Sequence, residues 1–184
     1  IGSRGQRNNV DIEMATMKQI RQELIRKNHT IKHKLLPTHY VIGVKQDNKF
    51  TLKYQSLYHE QHYFTRSISQ YERLVRYALY HIEPIEIGLE NCGTGLDRVT
   101  KKYRVGVGEE CQIVKSSYLP KSHKNLHIFG KLRFPISHLD KKEMKNIALK
   151  NNYYDILQLT WSCWQPTFDG NPCGKCPQCL ARII

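Results

Sequence analysis

Apolar residues recur at helical spacing in three stretches of the chain. Between residues 11 and 27, Ile12, Ala15, Met17, Ile20 and Leu24 fall mostly three or four apart, and Asn8 with Asp11 marks a loose helix start. Between 67 and 81, Ile68, Tyr71, Leu74, Val75, Ala78 and Leu79 form one stripe, which Pro84 stops. Residues 140–150 predict a third helix, with Asp140 and Glu143 spaced as a capping box and Met144, Ile147 and Ala148 directed inward. Two strand signals lie among these helices. Residues 40–44 (Tyr-Val-Ile-Gly-Val) read as a short buried strand, and Ile85, Ile87 and Leu89 alternate with polar positions. Residues 50–63, rich in Tyr and His, fit a strand pair or an ordered loop. Residues 91–133 hold five glycines and no sustained period, which predicts a long irregular insertion. Helix, strand, helix, strand, helix in that order argues for α/β with a mostly parallel sheet.

Composition narrows the class. With 184 residues and 40% hydrophobic positions the chain can bury a real core, so whole-chain disorder is excluded. No run approaches the ~18 apolar residues of a membrane span, and no secretion signal opens the chain. The expected location is cytoplasmic. Twenty-nine Lys and Arg against 16 Asp and Glu give a net charge of +13, which points to a polyanionic partner, nucleotide phosphates or nucleic acid.

The six cysteines are unevenly spread, and four fall between Cys163 and Cys179. Cys173-Gly-Lys-Cys176-Pro-Gln-Cys179 joins two Cys-x-x-Cys steps through a shared Cys176. A tetrahedral Zn²⁺ takes four such ligands at Zn–S distances of roughly 2.3 Å. Gly174 permits the tight turn, Pro172 and Pro177 stiffen its flanks, and Lys175 offsets the −2 of a four-thiolate zinc centre. A redox disulfide would leave two cysteines unexplained. An iron–sulfur cluster takes the same ligands and is not separated from zinc at this level. A closed four-cysteine site has no open position for substrate, so its role is folding. Cys92 and Cys111 lack partner spacing and are expected to be packed thiols.

Thr160-Trp-Ser-Cys163, followed by Gly170-Asn-Pro-Cys173-Gly-Lys-Cys176-Pro-Gln-Cys179-Leu-Ala-Arg182, resembles the zinc tail of the 7-cyano-7-deazaguanine synthase family. Upstream, Pro135 with Asp140-Lys141-x-Glu143 is similar to that family's Pro, Asp-Lys-x-Glu and helix. Gly5-Gln6-Arg7 with Asp11-Ile12-x-x-Ala15, and the spacing of Arg66 to Gly88, resemble further elements of it. The resemblance implies membership of the PP-loop ATP pyrophosphatases. It also implies conversion of 7-carboxy-7-deazaguanine and ammonia to 7-cyano-7-deazaguanine with ATP and Mg²⁺, for queuosine or DNA modification. The fold it implies is a Rossmann-like parallel sheet with flanking helices and a small C-terminal zinc-binding lobe. Residues 1–158 are then a nucleotide-binding-like domain and 159–184 the Cys₄ lobe.

The family's Ser-Gly-Gly-x-Asp-Ser loop is absent from these residues. With Ile1 as its first residue, the chain is expected to lack the first strand and that loop. The alternative is a non-catalytic descendant that keeps the fold and the zinc site and contacts nucleic acid. Lys141, Arg182, Arg66 and Gln6 are the candidates for nucleotide or substrate binding, and Cys163, Cys173, Cys176 and Cys179 for the metal. A Lys in a helix's first turn opposes the macrodipole, a local misfit that favours a functional reason at Lys141. The expected partners are ATP, 7-carboxy-7-deazaguanine and, in a homodimer, a second copy of the chain. Nucleic acid is the second choice, with Trp161, Trp164 and Phe168 either stacking bases or packing the lobe, and a membrane is excluded.

Overall fold

The computed structural model describes residues 9–41, 43–61, 70–81, 84–93, 95–107 and 111–182. The chain divides into two compact units, Ile1–His39 with Lys142–Ile184, and Tyr40–Lys141.

In the first unit, α1 spans Val10–Lys27, close to the expected bounds. Asp11 and Glu13 in its first turn and Arg26 and Lys27 in its last complement the helix dipole. Asn28 ends the helix, and its side chain accepts the Thr30 N–H at 3.0 Å to open the 3₁₀ turn His29–His33. Arg21 then donates to the carbonyls of Leu36 (2.7 Å) and Leu35 (2.8 Å), folding the exit back along α1. The rest of the unit holds α5 (Lys141–Lys150, whose first residue belongs to the other unit), α6 (Tyr154–Gln158) and α7 (Pro177–Leu180). Lys27 ties α1 to the start of α6 through Asp155 Oδ1 at 2.6 Å and the Asn152 carbonyl at 2.7 Å. Helix α5 is where the spacing puts it, but only Ala148 is fully buried, and Ile147 is 37% exposed.

The second unit carries α2 (Asn48–Gln61), α3 (Gln70–Tyr80), β1 (Ile85–Glu86), α4 (Gly95–Thr100), β2 (Arg104–Val107), β3 (Cys111–Val114) and β4 (Leu132–Phe134). The strands form one sheet in the order β1-β4-β3-β2. Helices and strands mix as the α/β class requires, but the sheet is mixed rather than mostly parallel. Only β1 and β4 run parallel, with Ile85 opposite Leu132. β2 and β3 are antiparallel, with Val107 opposite Cys111, and β3 is antiparallel to β4. Three residues separate β2 from β3, and so short a connection can only join antiparallel neighbours.

Three further expectations change here. Residues 50–63, read as a strand pair or loop, lie largely in α2. Asp47 Oδ1 accepts the Phe50 N–H at 2.9 Å and opens the helix, and Phe50, Tyr54 and Leu57 bury its inner face. That backbone donor holds the Asp47 carboxyl below its ordinary range. The run at 40–44 is no strand among its described residues: Tyr40 and Val41 are exposed. The insertion expected at 91–133 is instead a large part of the core. It supplies Leu96, Val99, Tyr103, Val114, Leu126, Ile128, Phe129 and Leu132 through α4, β3, β4 and 3₁₀ turns. Tyr54 meets Phe129 edge-on, with ring centroids 6.2 Å apart.

Two charged pairs are sealed into this unit. Glu72 is fully buried on α3 and receives Arg76 Nε at 2.9 Å and the Thr51 hydroxyl at 3.0 Å. The same guanidinium donates to the carbonyls of Val44 (3.0 Å) and Lys45, which fastens the segment that forms no strand. Asp97 accepts Arg104 Nη2 at 2.8 Å and the Gly93 N–H at 2.7 Å, while Arg104 lies 4.7 Å over the Phe134 ring. Burial presses the Arg104 guanidinium below its usual range.

Breaking a buried pair by removing one partner costs about 3–5 kcal/mol, because it strands the other charge. Arg76→Ala is therefore expected to lower urea stability by about 3 kcal/mol or more. The double change Glu72→Leu with Arg76→Leu is expected to cost less than the single one, and the reverse ranking in the same melts would refute this account.

Candidate metal centre

The segment after α6 folds around four sulfurs. Gly170 (φ 76°) and Gly174 (φ 70°) occupy the left-handed region that favours glycine, one in the long loop and one between Cys173 and Cys176. Thr167 closes the long loop: its N–H donates to the Asn171 carbonyl at 2.8 Å, and its own carbonyl accepts the Gly170 N–H at 3.0 Å. Pro177 begins α7, whose missing N–H suits a first helical position, and Cys176 sits just before it with its sulfur accepting the Cys179 N–H at 3.4 Å.

Cys163, Cys173, Cys176 and Cys179 bring their Sγ atoms within 4.8 Å of one another. Cys173 and Cys179 sulfurs stand 3.9 Å apart. A tetrahedron with metal–sulfur bonds of roughly 2.3 Å has sulfur–sulfur edges of about 3.8 Å, so the cage fits one ion. Backbone N–H groups point at the sulfurs, Cys173 to Cys163 Sγ at 3.3 Å and Cys176 to Cys173 Sγ at 3.3 Å. Donors of this kind stabilise thiolates. The Trp164 and Cys179 N–H groups bring the Cys176 thiol down to about 6. The Lys175 and Cys176 N–H groups lower Cys173, while burial first and the neighbouring sulfurs second push Cys179 up to about 12. Four crowded sulfurs cannot all hold negative charge without a cation between them. A divalent ion is the chemistry this set of donors suits.

The cage is anchored by contacts that sequence reading missed. The Cys163 carbonyl accepts Asn9 Nδ2 at 2.6 Å and Trp161 Nε1 at 3.0 Å. Asn9 is buried one residue before α1, and it bridges 154 positions of chain to reach the cluster. No local pattern announces such a bond. Trp161 therefore packs the lobe as expected, whereas Trp164 is half-exposed and Phe168 stands fully in solvent. Of the two remaining thiols, Cys92 is exposed rather than packed and Cys111 is half-buried.

Two of the other candidates lie among the described residues. Lys141 opens α5 with its ammonium 3.7 Å from Glu90 Oε1. Arg182 is half-buried, and its guanidinium donates to the Gln158 carbonyl. The two sit on separate compact units. Gln6 and Arg66 lie outside the described residues.

Residues 109–183 match the family described as Queuosine biosynthesis protein QueC. No curated protein and no solved structure matches the chain. The QueC-like segment contains all four clustered cysteines, Lys141 and Arg182, and it excludes Gln6 and Arg66. It also takes in β3 and β4, so the likeness reaches beyond the cysteine tail.

Groups that orient a metal ligand are commonly worth ten- to a hundredfold in metal affinity. Asn9→Ala is expected to weaken metal retention about tenfold in competition with a chromogenic chelator. Cys173→Ser should abolish it. Stripping the ion should also raise amide exchange in the first turns of α1, because Asn9 joins that helix to the cage. Unchanged protection there after chelation would contradict the coupling.

Proposed function

We propose that the protein converts 7-carboxy-7-deazaguanine and ammonia to 7-cyano-7-deazaguanine with consumption of ATP, and that Zn²⁺ is the structural ion of the four-cysteine cage. The observation that carries this reading is the QueC match over residues 109–183, which supports a role in queuosine or 7-deazaguanine biosynthesis. The geometry of the sulfurs supports a single tetrahedral ion. A cube of four irons holds its thiolates farther apart than one ion does, so a spread within 4.8 Å favours zinc over a cluster.

A carboxylate resists attack by ammonia because its oxygen is a poor leaving group, and ATP as a substrate supplies AMP to leave in its place. Cationic side chains then stabilise the phosphate charge, with Mg²⁺. In this reading Lys141, Arg182, Arg66 and Gln6 are the residues that bind nucleotide or substrate. The ammonium of Lys141 is partly exposed beside Glu90 and can turn to an anionic ligand. The pyrophosphate-binding Ser-Gly-Gly-x-Asp-Ser sequence is not among these 184 residues, so no bond-making step is assigned to any of them. The zinc cage has no open ligand position and serves folding. The protein works in the cytoplasm as a homodimer in this reading. No helix among the described residues is long and apolar enough to cross a membrane.

Two measurements test the proposal. Metal analysis of the native protein is expected to give one zinc per chain, and iron with acid-labile sulfide would overturn the zinc assignment. The complete native polypeptide, supplied with ATP, Mg²⁺, ammonia and 7-carboxy-7-deazaguanine, is expected to yield the nitrile by mass spectrometry. Lys141→Ala should lower kcat/KM about tenfold, the scale of one charge-assisted hydrogen bond. A polypeptide that neither binds ATP nor forms the nitrile would be a non-catalytic descendant of the family.

A further inference from the structure

Residues 111–139 contain no Asp or Glu, yet they carry Lys115, Lys121, Lys124, Lys131 and Arg133. The fold sorts this stretch sharply by polarity. Leu126, Ile128 and Phe129 turn into the core of the second unit, while Lys115, Ser116, Ser117, Tyr118, Lys121 and Lys124 remain exposed. The 3₁₀ turns Ser116–Tyr118 and Lys121–Lys131 pack together, so these groups share one region of surface. A second basic stretch joins it. The Lys115 N–H donates to the Tyr103 carbonyl at 3.3 Å, and the Tyr103 ring lies 5.5 Å from the ring of His123, bringing the exposed Lys101 and Lys102 alongside.

Lys102, Lys115, Lys121 and Lys124 have no carboxylate partner among the described residues. Two of the cations flank aromatic rings instead. Lys115 Nζ is 5.5 Å from the centroid of Tyr118, which is 58% exposed, and Lys102 Nζ is 5.1 Å from that of Tyr103. His127 is held by its own neighbours: Nδ1–H donates to the Lys124 carbonyl at 2.6 Å and Nε2 accepts from Lys53 at 2.8 Å. That bond keeps a further ammonium at this face.

We propose that the surface formed by Lys102, Lys115, Tyr118, Lys121 and Lys124 binds single-stranded nucleic acid. Unpaired ammonium groups and serine hydroxyls suit phosphodiesters. An exposed ring with a cation beside it suits an unstacked base, the combination used by proteins that grip single strands. A lipid surface fits less well, since the apolar side chains of this stretch point inward and leave no face to insert. This function lies apart from the metal cage and from the nitrile-forming reaction, and it stands without either.

The test is fluorescence anisotropy of the native protein with a labelled 20-nucleotide oligouridylate between 50 and 300 mM salt. Binding is expected, with log affinity falling linearly against log salt. Each phosphate contact on a single strand contributes about 0.7 to that slope. The triple change Lys115→Glu, Lys121→Glu and Lys124→Glu should reduce affinity more than tenfold and flatten the slope by about 2. Tyr118→Ala should cost about fivefold or more with the slope unchanged, as loss of one stacked base does. These positions are exposed, and unchanged thermal melts establish that the variants fold. Absence of binding at 50 mM salt would overturn the proposal. So would binding that the triple change leaves intact, which would move the site to the Trp164 and Phe168 loop. Capture by phosphatidylserine vesicles without binding of the oligonucleotide would overturn it equally.

Discussion

Four sulfurs gathered within 4.8 Å stand where the unit of Ile1–His39 and Lys142–Ile184 would otherwise need an apolar core. Helix α1 buries no side chain fully. Among the described residues of this unit the buried apolar groups are Ala148, Ile156 and two of the cysteines themselves. Complete burial of one Ile or Leu is worth about 1.5–3 kcal/mol, whereas a structural metal in a thiolate site is worth about 10–16 kcal/mol. An ion held by these four sulfurs would therefore decide whether this unit folds. The cysteine loop is tied back to the head of α1 by Asn9, so binding of an ion there would be coupled to the docking of that helix.

The unit of Tyr40–Lys141 solves the same problem differently. Its core is a continuous cluster from Phe50 to Phe134, built of helix faces, a small mixed sheet and 3₁₀ turns. Buried ion pairs within it act as fasteners. Glu72 and Arg76 secure the loop ahead of α2 through the Val44 and Lys45 carbonyls, while Asp97 and Arg104 join α4 to β2. Such pairs contribute little net stability against a hydrophobic substitute, but they define where each loop sits.

How much of this was legible depended on the distance over which a signal acts. The cysteine cage was readable because its ligands lie close in sequence and their spacing is itself the geometry. Helix α1 and helix α5 were readable because their polar and apolar positions recur at one local period. Helix α2 was not, since Leu52 is exposed and breaks the stripe that Phe50, Tyr54 and Leu57 make, and Asp47 went unrecognised as the residue that opens it. The stretch 91–133 hid its core residues because 3₁₀ turns and very short strands show neither a period of two nor one of 3.6. Tyr40 and Val41 have the composition of a strand but pair with no strand among the described residues, and pairing is what a strand requires. The contact of Asn9 with Cys163 crosses nearly the whole chain and leaves no trace in either neighbourhood.

The guanidinium of Arg104 donates at once to the Asp97 carboxylate, the Asp97 carbonyl and the Thr100 hydroxyl, through Nη2 at 2.8, 3.2 and 2.7 Å and through Nε to that hydroxyl at 3.0 Å. A lysine presents a single point of charge and could meet only part of that fork. The exposed lysines at 121 and 124 face no such constraint, and either basic residue would serve there. Positions of like charge thus have unlike histories open to them. Neutral drift can exchange Lys and Arg at residues 121 and 124, while at residue 104 it has only one letter to write.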